Sequence, residues 1–125
     1  MIVLDSSALL AMLLEETGSD IVARRLGDSM MSTVNLCEVL AIAHRAGRAA
    51  ERLHDALARS PIRFRDFDVE QAAEAARLEP LTRAWGLSLG DRACLALAIL
   101  TGTPVLTGDR ALAGLDLPVA VEVIR

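Results

Sequence analysis

No lysine and no tyrosine occur in this chain of 125 residues, and its aromatic side chains are limited to two phenylalanines and one tryptophan. The core must therefore be built from Leu, Ala, Val and Ile. Such a composition favours helices packed on a buried sheet whose strands read as continuous apolar runs. Cysteine is scarce too: Cys37 and Cys94 lie far apart and match no metal-binding spacing, so two reduced, buried thiols in a cytosolic protein are expected. No stretch approaches the roughly 20 uninterrupted apolar residues of a membrane span, because the longest are broken by Asp, Glu or Arg. The opening MIVLD has no basic region before it, which argues against a signal peptide and for a cytoplasmic location. Absent lysine excludes a phosphoacceptor receiver domain. The absence of a glycine-rich loop after the first apolar run excludes a dinucleotide-binding domain.

What is present is apolar side chain in excess. The hydrophobic fraction is 53% and the mean hydropathy +0.39, which leaves apolar surface to spare for burial in a partner. The length suits a single domain, residues 1–125, with one core. All 13 basic residues are arginine, against a net charge of −4. Arginine makes bidentate contacts with phosphate that lysine cannot, so this charge neither supports nor excludes nucleic acid.

Along the chain, Ile2-Val3-Leu4 reads as a buried strand ending at Asp5, followed by capping residues Ser6 and Ser7 and an apolar helix to Glu16. A second helix is predicted from Asp20 to Leu26 and a short strand over Met30 to Thr33. Asn35 opens a helix to about Ala46, and another spans Ala49 to Arg59. Ile62 to Phe67 alternates apolar and charged residues, as a half-exposed strand does. Asp68 caps the next helix, which Pro80 is expected to interrupt or kink. Ser88 opens a helix to about Leu100, Val105 to Thr107 is a buried strand, Gly108-Asp109 turns into a short helix, and Val119 to Ile124 is a last edge strand. Strands alternating with helices imply a three-layer α/β/α domain around a mostly parallel sheet, in which ligands bind beyond the carboxyl ends of the strands.

That topology puts four carboxylates on one rim. Asp5 and Asp109 follow strands, Glu38 stands in the first turn after a strand, and Asp91 stands in the first turn of the helix that leads into the Val105 strand. Four carboxylates at close range raise one another's pKa unless a cation neutralises them. An all-oxygen set without His or Cys favours Mg²⁺ or Mn²⁺ over zinc. Each acid also has a plain alternative. Glu38 and Asp91 stand three residues after Asn35 and Ser88, as capping partners do; Asp5 suits a helix cap, and Asp109 a turn. Ser6 and Thr107, beside two of the acids, are candidates to bind water or phosphate, or to act as local caps. Arg92 and Arg110 directly follow two acids and are candidates for phosphate contact or surface ion pairing. His44 and His54, on separate helices, form no acid–base pair, and Trp85 suits packing or an interface.

The ordered motifs resemble the PIN-domain family, specifically the VapC-type toxins of bacterial toxin–antitoxin pairs. VLDSSALLA is similar to that family's first motif, with Asp5 and a hydroxyl residue behind it; STVNLCEVL is similar to the second, with Glu38. LSLGDRACLALA, carrying Asp91, is the most specific match, and VLTGDRAL supplies Thr107 and Asp109. The resemblance covers essentially the whole chain. It implies a PIN-like α/β/α fold and an endoribonuclease dependent on Mg²⁺, with Mn²⁺ as a substitute. It implies Asp5, Glu38, Asp91 and Asp109 as metal-binding and catalytic residues, a homodimer, and a cognate antitoxin that blocks the acidic site. A structure-specific DNA nuclease would need clamping elements for which this length leaves no room. A non-cleaving module that binds RNA or the antitoxin is the other alternative.

Overall fold

The computed structural model describes residues 1–125. In order the chain forms β1 (Ile2–Leu4), α1 (Ser6–Leu13), α2 (Ser19–Arg25), β2 (Ser29–Ser32), α3 (Thr33–Arg45), α4 (Ala50–Ala58), β3 (Arg63–Arg65), α5 (Val69–Thr82), α6 (Leu89–Thr101), β4 (Val105–Thr107) and β5 (Val121–Val123). Three short 3₁₀ turns, Leu26–Asp28, Arg83–Trp85 and Arg110–Gly114, complete it. No helix is long and apolar enough to cross a membrane.

The sheet has the order β3-β2-β1-β4-β5, and every pairing is parallel. Alternate side chains of a strand face opposite ways, and the core divides accordingly. Ile2, Leu4, Met31 and Leu106 pack under α1–α4 with Leu9, Val22, Val39 and Leu57. Val3, Met30 and Val105 pack under α5 and α6 with Ala75, Leu78, Leu95 and Leu97. The three central strands are buried on both faces, β1 as an unbroken apolar run and β2 with a serine at each end, whereas Arg63 and Arg65 of edge strand β3 are exposed.

The chain moves from β1 outward through β2 to β3, then returns to the other side of β1 for β4 and β5. The sheet therefore reverses direction between β1 and β4, where Leu4 pairs with Leu106. Connections diverge to opposite faces at such a point and leave a crevice at the strands' carboxyl ends. Asp5 and Thr107 stand at that crevice.

Four expectations need correction. The helix after β2 begins at Thr33, capped by Ser32, whose hydroxyl accepts from the Val34 amide. Asn35 therefore lies inside its first turn instead of opening it, and Glu38 falls in the second turn instead of the first. Helix α5 runs through Pro80 to Thr82, so the proline does not interrupt it. The last strand is shorter than expected, Val121–Val123. Cys37 is exposed, because α3 buries the face carrying Asn35, Val39 and Ala43; only Cys94 is buried.

Candidate metal centre

Asp5 is the N-cap of α1. Its extended backbone (φ −89°, ψ 174°) lets Oδ1 accept from the Ala8 amide at 2.9 Å and from the Ser7 hydroxyl at 2.7 Å. Oδ2 accepts from the Thr107 hydroxyl across the β1–β4 junction. Ser7 Oγ in turn accepts from the Gly108 amide at 2.8 Å and lies 3.2 Å from Thr107 Oγ1. Asp5 is only 3% exposed and Thr107 is fully buried. Burial holds the Asp5 carboxyl above its ordinary range; the donors from Thr107, Ser7 and Ala8 oppose that shift, and the nearby charge of Asp91 adds to it.

Glu38, half-buried in α3, receives the Ser6 hydroxyl at 2.5 Å and the Asn35 amide at 2.9 Å, both on Oε1. Its carboxylate lies on the backbone of Gly90, and a Cβ at that glycine would overlap it. Asp91 is the third residue of α6 and closes a capping box. The Ser88 amide donates to Asp91 Oδ2 at 3.0 Å, and the Asp91 amide donates to Ser88 Oγ at 3.2 Å. Beneath these acids lies Cys94, whose buried thiol is pushed well above its ordinary range, first by burial and then by the charges of Asp5, Asp91 and Glu38. Three carboxylates thus project their fields onto one atom in the core.

Asp109 stands farther out. It is exposed, and its carboxylate caps the 3₁₀ turn by accepting from the Ala111 amide at 2.9 Å. Its own amide donates to Thr107 Oγ1 at 2.9 Å, which ties it to the Asp5 network through the backbone. Arg92 does not face the rim: its guanidinium donates to the Ala75 carbonyl of α5 at 3.1 Å, and its Nε is buried without a partner. Arg110 donates to the Arg125 carbonyl at 3.1 Å. His44 and His54 are exposed and remote from the acids, His54 beside Asp55; Trp85 is half-exposed against Gly114.

The sequence marks Ser7 and Asn35 only as helix-capping residues, and Gly90 and Arg125 not at all. Ser7 was hidden behind its neighbour Ser6, although its place two residues after a capping Asp suits a hydroxyl that returns to the carboxylate. Gly90, directly before Asp91 in a helical first turn, offered a signal, since glycine there needs a packing reason. Arg125 lays its guanidinium on Gly108, where a Cβ would lie 2.6 Å from Nη2; nothing in its sequence context marked it.

Asp5, Glu38 and Asp91 supply only hard carboxylate oxygens, the donor chemistry that Mg²⁺ and Mn²⁺ take. Burial and mutual charge already disfavour the ionised form of Asp5, a strain that a cation relieves. In the present arrangement each carboxylate is held by its own protein donors, and no three acidic, His or Cys side chains close around one point. Beside Glu38 a cleft of about 640 Å³ opens between α3 and the start of α6, with Cys37, Ala41 and Arg45 facing Ser88 and Leu89.

The family model described as PIN domain matches residues 2–117 of the chain. Three solved structures are similar to it. A toxin–antitoxin complex from Klebsiella pneumoniae has 18% identity and a TM-score of 0.74, with 96% of this chain and 99% of that chain covered. FitAcB from Neisseria gonorrhoeae has 24% identity and a TM-score of 0.73, covering 97% and 96%. DNA-bound VapBC from Salmonella typhimurium has 16% identity and a TM-score of 0.73, covering both chains completely. No curated protein sequence matches this one.

Proposed function

This chain belongs to the PIN-domain family, and from that premise we propose that it is a divalent-metal-dependent endoribonuclease, the toxin of a VapC-type toxin–antitoxin pair. The observation that carries this reading is the hydrogen-bond network that links the three acid-bearing segments: Ser6, next to Asp5, and Asn35 both donate to Glu38, and Asn35 also donates to the carbonyl of Gly90, next to Asp91.

Asp5, Glu38 and Asp91 would hold the cation, Mg²⁺ with Mn²⁺ as a substitute, and Asp109 flanks them at the exposed edge. When bound, such a cation supplies Lewis acidity to phosphate oxygens and lowers the pKa of a water. The reaction is hydrolysis: a water oxygen attacks phosphorus, the bond to the 3′ oxygen breaks, and the 3′ oxygen leaves as a hydroxyl. The chain's own part is to position. Thr107, Ser7 and the Ala8 amide fix both oxygens of Asp5, and Ser6 and Asn35 fix one oxygen of Glu38. Glu38 Oε2 and Asp91 Oδ1 carry no protein donor and are free to ligate. No pair of histidines is placed for metal-free cleavage through the 2′ hydroxyl.

The homodimer and the antitoxin are part of the same reading. Leu81, Trp85 and Leu89 are each more than half exposed, which leaves apolar surface for protein partners. The similar structure from Klebsiella pneumoniae is described as a toxin–antitoxin complex, and that from Salmonella typhimurium as DNA-bound VapBC. One observation favours the rival, a module that binds RNA or antitoxin without cutting: every acid already accepts from a protein donor on at least one oxygen, and Asp5 on both.

Purified protein free of antitoxin, incubated with end-labelled total RNA with and without Mg²⁺ or Mn²⁺, decides between them. Metal-dependent discrete fragments that vanish in Asp91→Asn are expected. RNA that is bound but never cut would favour the non-cleaving module, and equal cutting by the variant would point to a contaminating ribonuclease.

A further inference from the structure

Asn35 is 1% exposed, and three acceptors converge on its side-chain nitrogen. Glu38 Oε1 lies at 2.9 Å, the Gly90 carbonyl at 3.1 Å and Ser6 Oγ at 3.3 Å. Ser6 is free to accept, because its own proton goes to Glu38. Turning the amide would set its oxygen against the Glu38 carboxylate and the Gly90 carbonyl, neither of which can donate, so the orientation is fixed by its surroundings. The remaining atom, Oδ1, is buried without a partner. Burying an unmet acceptor is unfavourable, and a plain hydrocarbon of the same size would avoid it. The side chain is therefore poorly explained as packing alone.

Its three partners explain it better. Each is, or directly adjoins, one of the acids at the crevice: Glu38 itself, Gly90 before Asp91, and Ser6 after Asp5. One nitrogen thus ties together the N-terminal ends of α1, α3 and α6, which carry or adjoin the three carboxylates. We propose that Asn35 is the positioning residue of the metal centre, setting the spacing of Asp5, Glu38 and Asp91 without touching metal or RNA; this rests on the metal-nuclease reading above.

Outer partners that orient metal ligands typically matter by 10- to 100-fold in affinity. The test is Mn²⁺ binding, followed by electron paramagnetic resonance of the free ion, in wild type and in Asn35→Leu, which keeps the branched heavy-atom skeleton, at a larger volume, and removes the donors. The expected result is a dissociation constant raised by about tenfold or more. A purely structural Asn35 would lower the melting temperature in chelator and leave Mn²⁺ affinity unchanged, and that outcome overturns the proposal. Should Asn35→Leu fail to fold, a Mg²⁺ titration of the ¹⁵N-labelled wild type still decides. The Asn35 side-chain amide protons should be slow to exchange and should shift together with the Asp91 backbone amide; rapid exchange without a shift overturns the role. Wild type that binds no Mn²⁺ overturns the metal reading itself and this role with it, whereas wild-type binding with an unaffected variant overturns the role alone.

Discussion

Gly90 shows how a single missing atom can matter at the site. Alanine is normally the better helix former by about 1 kcal/mol, and on propensity alone Gly90→Ala should stabilise α6. A Cβ there, however, would overlap the Glu38 carboxylate. Gly90→Ala is therefore expected to push Glu38 off its seat and weaken Mn²⁺ binding at least tenfold, comparable to losing an outer ligand partner. Calorimetric titration with Mn²⁺ checks this, and an unchanged affinity would show that Glu38 is not a ligand in the position seen. Asp5 makes a second prediction at the same scale. Its folded pKa is raised, chiefly by burial, so the folded state binds a proton more tightly than the unfolded chain does. Below the unfolded value of about 3.9 both states are protonated and no penalty applies. As pH rises through the folded pKa, the metal-free protein loses stability. Urea unfolding in chelator should therefore show a decline from about pH 4 upward that Asp5→Asn removes. Parallel pH profiles for the two proteins would contradict the burial argument.

At the level of the element, Ser88 and Asp91 carry a divided duty. Their reciprocal bonds begin α6, the helix whose apolar residues line the core on the α5–α6 face of the sheet. Ser88→Ala should cost about 1 kcal/mol, seen as a lower urea midpoint with an unchanged slope, yet leave RNA cleavage intact because Asp91 keeps the Ser88 amide. Asp91→Asn should do the reverse, since an amide oxygen still accepts that hydrogen while the charge is gone. If Ser88→Ala abolished cleavage as completely as Asp91→Asn, the two duties would not be separable. This doubling also explains what was legible beforehand. Ser88-x-x-Asp91 reads as a capping box and is one, and the apolar runs Ile2–Leu4 and Val105–Thr107 are the buried strands they suggest. Less legible was anything set by tertiary contact. The helix after β2 starts at Thr33 because Ser32 caps it, two residues ahead of where the Asn35–Glu38 spacing points. That spacing is real, but it serves a side-chain bond between the two residues and the reach to Gly90. Pro80 sits within α5, which continues to Thr82 although the proline offers no amide to the Ala76 carbonyl one turn back. The turn of Arg92 toward Ala75 could not be read from a sequence in which it merely follows an acid.

For the whole molecule, a net charge of −4 includes Asp5 at the β1–β4 crevice, where burial denies its carboxylate water. A ligand that binds only the folded state stabilises it by mass action, by about 2.7 kcal/mol at a hundredfold excess over its dissociation constant. For a domain of this size each kcal/mol moves the melting temperature by roughly 4 °C, so saturating Mn²⁺ should raise it by about 10 °C. The control is ionic strength. Sodium chloride screens exposed charges over a distance of about 10 Å at 0.1 M but acts weakly on buried ones, so it should relieve Asp109 and the helix faces and leave Asp5 strained. Chelation and screening therefore separate. A large Mn²⁺ shift that 0.5 M sodium chloride cannot reproduce, and that Asp91→Asn largely removes, means the crevice gathers its acids around one ion. Equal shifts with either salt, indifferent to Asp91, would mean that the acids act as separate helix and turn caps on a common rim and bind no metal together.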